Sequence, residues 1–180
     1  MTSLELASLT SPLGPLVLAV GPRGLVGLDL EGDQAGMVRR LERRFGPLHL
    51  ARSEDPGGVV ATLRRYFAGR LQALDKVEVD PGGTPFQSQV WLALRRIPAG
   101  TTWSYARLAQ EVGRPAAVRA VGAANGANPV PLVLPCHRVI GSDGRLVGYG
   151  GGLDRKEWLL RHEHARFVAE RQARLPLVEA

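Results

Sequence analysis

Apolar and polar positions alternate along the first part of the chain and then change to a helical spacing. Leu4 to Leu9, Leu16 to Val20 and Leu25 to Leu30 read as three short strands. The turn Ser11-Pro12-Leu13-Gly14 joins the first two into a hairpin. Residues 35–45 place Val38, Leu41 and Phe45 on one side of a helix, and residues 57–68 read as a second helix. Val77 to Val79 is a candidate for a further strand. The run Asp80-Pro81-Gly82-Gly83-Thr84-Pro85 is dense in chain-breaking residues and marks a boundary. It divides the chain into an N-terminal part, 1–80, a linker, 81–86, and a C-terminal part, 87–180.

The C-terminal part reads mainly as helix. Residues 86–97 bring Val90, Leu94 and Ile97 to one face, and Pro98 stops them. Ser104 is placed as an N-cap for a helix with Tyr105, Leu108, Ala109 and Val112 on one face, ended by Gly113. Pro115 then falls at the first position of a helix over 115–126. Two short helices about a glycine turn predict a helix-turn-helix. The expected fold is α+β. A small antiparallel sheet with helices forms the N-terminal half, and a mainly helical, winged helix-turn-helix-like domain follows.

The second helix of that pair is unusual in composition. Ala117, Ala120, Val121 and Ala124 share one side, while Arg119, Gly122, Ala123 and Gly126 share the other. A face bare except for one arginine can approach another surface closely. Tight helix packing and contact with DNA both suit it. Charge tilts the balance. The net charge is +6, and residues 81–180 carry all of it, with thirteen Lys/Arg against seven Asp/Glu. A basic surface on this half fits a polyanionic partner.

Composition excludes several other classes. At 44% hydrophobic and 22% charged, the chain is ordinary for a globular protein. It has no apolar run long enough for a membrane helix, and its first residues lack a basic region before an apolar one. A single cysteine forms no internal disulfide and suits a reducing, cytoplasmic compartment. His49, His137, His162 and His164 are scattered, which excludes a Cys-rich zinc site.

That single cysteine, Cys136, stands in VLPCHRVIG beside His137. A lone cysteine is commonly a small buried apolar residue. A nucleophilic one needs a base or a positive field to form thiolate. On a strand, Cys136 and His137 would point to opposite faces, so cooperation requires a turn or short helix, which Pro135 suits. A carboxylate to orient the imidazole is the next requirement. Residues 153–158 read as a capping box with Asp154 as N-cap and Glu157 reaching back, and Leu153 and Trp158 as a staple. On that helix Glu163 lies between Leu159 and Leu160, so it needs a partner. The candidates are His137, Arg161 and Lys156. His162 and His164 are expected in solvent, and Tyr149 either stacks on a flat ligand or joins the core.

The run PCHRV at 135–139, with AVRAVGAANGANPVPLVLP before it and GYGGGLDRKEWLLRHE after it, resembles the O6-alkylguanine-DNA alkyltransferases. The likeness is close over 84–164 and covers TPFQSQVW, IPAGTTWSYARLA and NPVP. In the first 80 residues it is limited to length and the SPLGPL hairpin. The resemblance implies a DNA repair protein that flips O6-alkylguanine from duplex DNA and transfers the alkyl group irreversibly to its own cysteine. It implies Cys136 as nucleophile, His137 as base through a water, Glu163 as its orienting group and Tyr105 as the proton donor to the leaving guanine. Tyr105, Asn128, Val139, Tyr149 and Gly150 are implied around the base. Arg119 is implied as the finger filling the gap, with Ala117, Gly122, Ala123, Asn125 and Gly126 against DNA. No cofactor or metal is implied, and the expected state is a monomer, with cooperative loading on DNA left open. The alternative is an alkyltransferase-like protein that binds the lesion without transfer; Cys136 argues against it.

Overall fold

The computed structural model describes residues 1–169. Three long strands open it: β1 (Thr2–Ser11), β2 (Gly14–Gly21) and β3 (Gly24–Asp29). Helix α1 (Gln34–Phe45) leads to a short strand β4 (Leu48–Arg52), and α2 (Val59–Phe67) follows. The sheet order is β3-β2-β1-β4. The pairs β1–β2 and β2–β3 are antiparallel, and β1–β4 is parallel. The mixed α+β class is as expected; the parallel edge strand is an addition to it. The candidate strand at 77–79 is reduced to one bridge, Leu25 to Val79.

Period-two alternation puts different residues on the two sheet faces. Leu4, Leu6, Val17, Ala19 and Val26 meet Met37 and Leu41 of α1 on one face. Leu9, Leu16, Leu18 and Leu25 meet Val60, Leu63 and Tyr66 of α2 on the other. This second cluster continues without a break into Val90, Leu94, Val121, Leu134, Val139 and Leu159 of the C-terminal part. Asp80 is tied into the joint by Arg44, whose Nη2 lies 2.6 Å from its carboxylate.

The C-terminal part holds α3 (Pro85–Leu94), α4 (Tyr105–Glu111), α5 (Val118–Gly126) and α6 (Leu153–His162). Two-residue strands β5 (Trp103–Ser104) and β6 (Val139–Ile140) pair in parallel. Thr84 and Gln87 form a capping box at α3. Ser104 caps α4 by accepting from the Arg107 amide. Trp91 Nε1 donates to Ala124 O at 2.7 Å, which fixes α5 against α3.

Two helix starts differ from expectation. Bonds from Arg114 N to Ala109 O and from Ala117 N to Arg114 O, both 2.8 Å, close a turn around Pro115. Pro115 is therefore in the turn, and α5 begins at Val118. At α6 the N-cap is Gly152 (φ 89°), without a side-chain cap. Asp154 lies in the first turn, and Glu157 is held by Arg161 through bonds of 2.9 and 2.6 Å. An i,i+4 ion pair has taken the side chain that the capping box needed. Residues 170–180 of the expected C-terminal domain lie outside the described residues. Among the described residues no helix is long and apolar enough to cross a membrane.

Candidate active site

Cys136 and His137 sit on a single 3-10 turn, Cys136–Arg138, that starts from Pro135. The turn abandons strand alternation, so successive side chains leave in directions that a strand would forbid. The segment before it is braced by Asn128. Its Nδ2 donates to Leu134 O at 2.6 Å, and its Oδ1 accepts from Val130 N at 2.9 Å. Leu132, inside this braced stretch, is buried with φ 72°, a left-handed conformation unusual for leucine.

Behind the thiol lies a buried polar cluster. His137 and Glu163 are 0% and 1% exposed. His137 Nε2 lies 3.0 Å from Glu163 Oε1. Arg138 grips the same carboxylate twice, Nε to Oε2 at 2.9 Å and Nη2 to Oε1 at 2.8 Å. Its Nη1 donates to Ile97 O at 2.6 Å. Tyr66, from α2, donates its hydroxyl to Glu163 Oε1 at 2.7 Å. Of the three candidate partners of Glu163, His137 is the one found. Arg161 pairs with Glu157, and Lys156 points elsewhere. Arg138 and Tyr66 were not anticipated. Arg138 adjoins His137 in sequence, but Tyr66 is 97 residues from Glu163 and carried no local signal.

The electrostatics follow from this burial. Burial would raise the Glu163 carboxyl, but His137 and Arg138 win and hold it well below the usual carboxylate range. Burial pushes His137 down, against the pull of Glu163. With Glu163 ionised and His137 neutral, Nε2 carries the proton and donates to the carboxylate. Nδ1 is then a lone pair; it is buried and has no hydrogen-bond partner among the described residues. Burial pushes the Cys136 thiol up, while the Asn128 amide and the Lys156 ammonium pull it back.

Lys156 is fully buried. Its Nζ donates to Val139 O at 2.7 Å, Val147 O at 3.1 Å and Gly148 O at 3.2 Å. Burial brings it down to about 8. It ties β6, which follows the thiol's turn, to the 147–148 loop.

The thiol faces a cavity of about 260 Å³. Tyr105, Tyr149 and Gly150, expected around the base, are among the residues that line it, and so are Gly122, Asn125 and Gly126, expected against DNA. Tyr105 donates to Val147 O at 3.0 Å, and the Tyr149 hydroxyl is buried with no partner among the described residues. Val139 is not in the wall; its carbonyl faces Lys156. One wall had no sequence signal: Leu28, Asp29, Leu30 and Glu31 from the end of β3.

The bare face of α5 is partly as expected. Arg119, Ala123 and Gly126 are exposed, and Ala117 and Gly122 are half-buried. Asn125 departs from the expected DNA surface. It is buried at 5%, one turn after buried Val121, and its Oδ1 has no partner among the described residues. Ala120, which shares a side with buried Val121 and Ala124 in the helical projection, is exposed. His162 is not a solvated residue either. It stacks on Trp158 at 4.8 Å and bonds Tyr66 O at 2.8 Å, whereas His164 and His49 are exposed.

Comparisons with known proteins agree over nearly the whole chain. Residues 6–81 match the family model of the 6-O-methylguanine DNA methyltransferase ribonuclease-like domain, and residues 85–165 that of its DNA-binding domain. The chain is 48% identical over 158 residues to the methylated-DNA–protein-cysteine methyltransferase of Salmonella typhimurium, covering 86% of this chain and 92% of that protein. It is 46% identical over 166 residues to that of Mycobacterium tuberculosis, covering 91% and 94%. Among solved structures it is similar to Mycobacterium tuberculosis OGT in complex with DNA, with a TM-score of 0.75 and 41% identity over 89% of this chain and 92% of that one.

Proposed function

The chain belongs to the 6-O-methylguanine DNA methyltransferase family, and we propose that it repairs O6-alkylguanine in duplex DNA by moving the alkyl group onto Cys136. It is a methylated-DNA–protein-cysteine methyltransferase, a DNA-binding repair protein consumed by its own reaction. The observation that carries the residue assignment is the buried pair His137–Glu163 standing behind a lone thiol that opens onto a cavity.

The steps follow from the groups present. DNA meets the exposed side of α5, Arg119 enters the duplex, and the damaged guanine swings into the cavity. Flipping costs a few kcal/mol, least for a damaged base. The thiol proton passes through a water to His137 Nδ1, and the imidazolium is stabilised by Glu163. The thiolate lone pair attacks the alkyl carbon in line. The carbon–O6 bond breaks, and its electron pair returns to the purine. Tyr105 supplies the proton that neutralises the purine and regains one, through water, from the imidazolium that took it from the thiol, so the thiol proton ends on guanine. The product is a thioether on Cys136 and an intact guanine. Tyr149 and Gly150 bound the pocket, and Asn128 holds the thiol's loop in place. The protein works as a monomer, and a cytoplasmic location keeps the thiol reduced.

Intact-protein mass after incubation with a duplex holding one O6-methylguanine tests this. The expected result is a gain of one methyl group, mapped to Cys136 and saturating at one per protein. Cys136→Ser should gain nothing yet still bind the duplex, with affinity that falls as salt rises. An unchanged wild-type mass with DNA bound would leave a lesion-binding protein instead.

A further inference from the structure

Tyr66 belongs to the N-terminal part, far in sequence from the thiol. Its ring is wholly buried, packed edge-on against Phe67 and His162 at 5.3 and 5.2 Å. Apolar packing alone would be satisfied by phenylalanine. Instead the hydroxyl is aimed at Glu163 Oε1 at 2.7 Å, the same oxygen that lies 3.0 Å from His137. A buried hydroxyl on a charged oxygen is a strong, oriented bond. Arg138 Nη2 lies on that oxygen too, at 2.8 Å, and donors that share one oxygen compete for its charge.

We propose that Tyr66 is a positioning residue of the alkyl-transfer machinery: its hydroxyl fixes the Glu163 carboxylate and limits how strongly that carboxylate draws a proton onto His137. The inference rests on the reading of His137 as base given above. It makes the N-terminal part a contributor to the reaction rather than a support. The charged groups facing the imidazole are Glu163, Arg138 and Lys156, with the Cys136 thiol beside it. Arg138 holds both carboxylate oxygens, so Glu163 stays ionised without Tyr66. His162 touches Tyr66 only through the backbone carbonyl and ring edge. Removing the hydroxyl leaves more negative charge for His137. The imidazolium is then favoured, and the neutral base is lost at a higher pH.

The test is Tyr66→Phe in the full chain, read by single-turnover methyl transfer from pH 5 to 9 and by NMR titration of His137. The expected results are a plateau about fivefold lower and an acid limb moved up by about half a pH unit, with duplex affinity unchanged. Replacing Tyr66 with 3-fluorotyrosine keeps the packing and strengthens the donor, so its limb should move the opposite way. This second variant decides the matter if Tyr66→Phe fails to fold. A limb and a His137 titration unmoved in the folded variants would overturn the proposal. So would a fall in rate that is uniform across pH. The His137 titration needs no alkyl transfer, so it separates this failure from failure of the wild type to accept methyl at all.

Discussion

Glu163 Oε1 collects Tyr66, Arg138 and His137, and that convergence predicts how the fold answers to acid. The folded carboxyl lies well below its ordinary value and the folded imidazole below its own. The unfolded chain takes up protons at ordinary values, about 6.5 for histidine and about 4.3 for glutamate. In that range the unfolded state binds more protons than the folded one, so stability falls as pH falls. The fall should start near pH 6.5 and steepen below about 4.3. Thermal melts from pH 7.5 to 3.5 measure it, and Glu163→Gln should lose the steep segment while melting lower at neutral pH. A melting temperature level from pH 7 to 4 would show that this cluster does not govern acid sensitivity. The cluster was half legible in the sequence. Glu163 on an apolar helix face announced the need for a partner, and His137 was among the candidates. Tyr66 was not legible, because no periodicity in α2 distinguishes a tyrosine that packs from one that also donates.

At the scale of elements, α5 is built to be held on one side and left bare on the other. Val121, Ala124 and Asn125 are buried, and the Trp91 bond to Ala124 O seats the helix. Arg119, Ala123 and Gly126 are exposed, and a Cβ added at Gly126 would meet nothing within 4 Å. Gly126→Leu should therefore leave the fold intact. It should raise the melting temperature slightly, since leucine is about 1 kcal/mol better than glycine in a helix. In the proposed binding mode the new side chain stands between α5 and the duplex, so affinity should drop by about tenfold or more. Melting and duplex titration on one sample separate the two effects; undiminished affinity would remove this face from the DNA contact. Elements with strong periods, β1 to β3 and α1 to α4, were readable within a few residues. Strand β4 was not, because Leu48–Arg52 is an exposed edge strand whose pairing with β1 is parallel and distant in sequence. The starts of α5 and α6 were misplaced for a common reason. Local capping preferences at Pro115 and Asp154 lost to a turn and to an ion pair.

Across the whole molecule, the two parts share one core and one cavity. The backbone of β3 is bonded to the C-terminal part through Leu28 N to Pro129 O at 3.0 Å. Arg155 reaches back to Leu13 O at 3.2 Å and holds Gly151 O at 2.7 Å. Between these ties, Leu28 to Glu31 close the side of the thiol's cavity. Nothing in their sequence pointed to this, because a strand end becomes a pocket wall only when the second half of the chain docks against it. Leu30 is one of the two leucines in that wall. It is buried, and its Cδ1 is so near Gly151 that a Cβ there would lie 3.1 Å away. With the adduct in this cavity, as proposed, the width available to the alkyl group is set from both parts of the chain. Leu30→Ala should widen the cavity on the side facing the adduct. Losing the buried leucine costs about 2–5 kcal/mol, so the variant should melt several degrees lower. A methyl group gains nothing from added room, whereas a benzyl group on O6 does. The ratio of benzyl to methyl transfer should rise by about fivefold, roughly 1 kcal/mol of discrimination. Taking the ratio on one preparation cancels any change in DNA affinity or active fraction. A lower melting temperature with an unchanged ratio would make Leu30 a packing residue only, and adduct size would then be set within the C-terminal part.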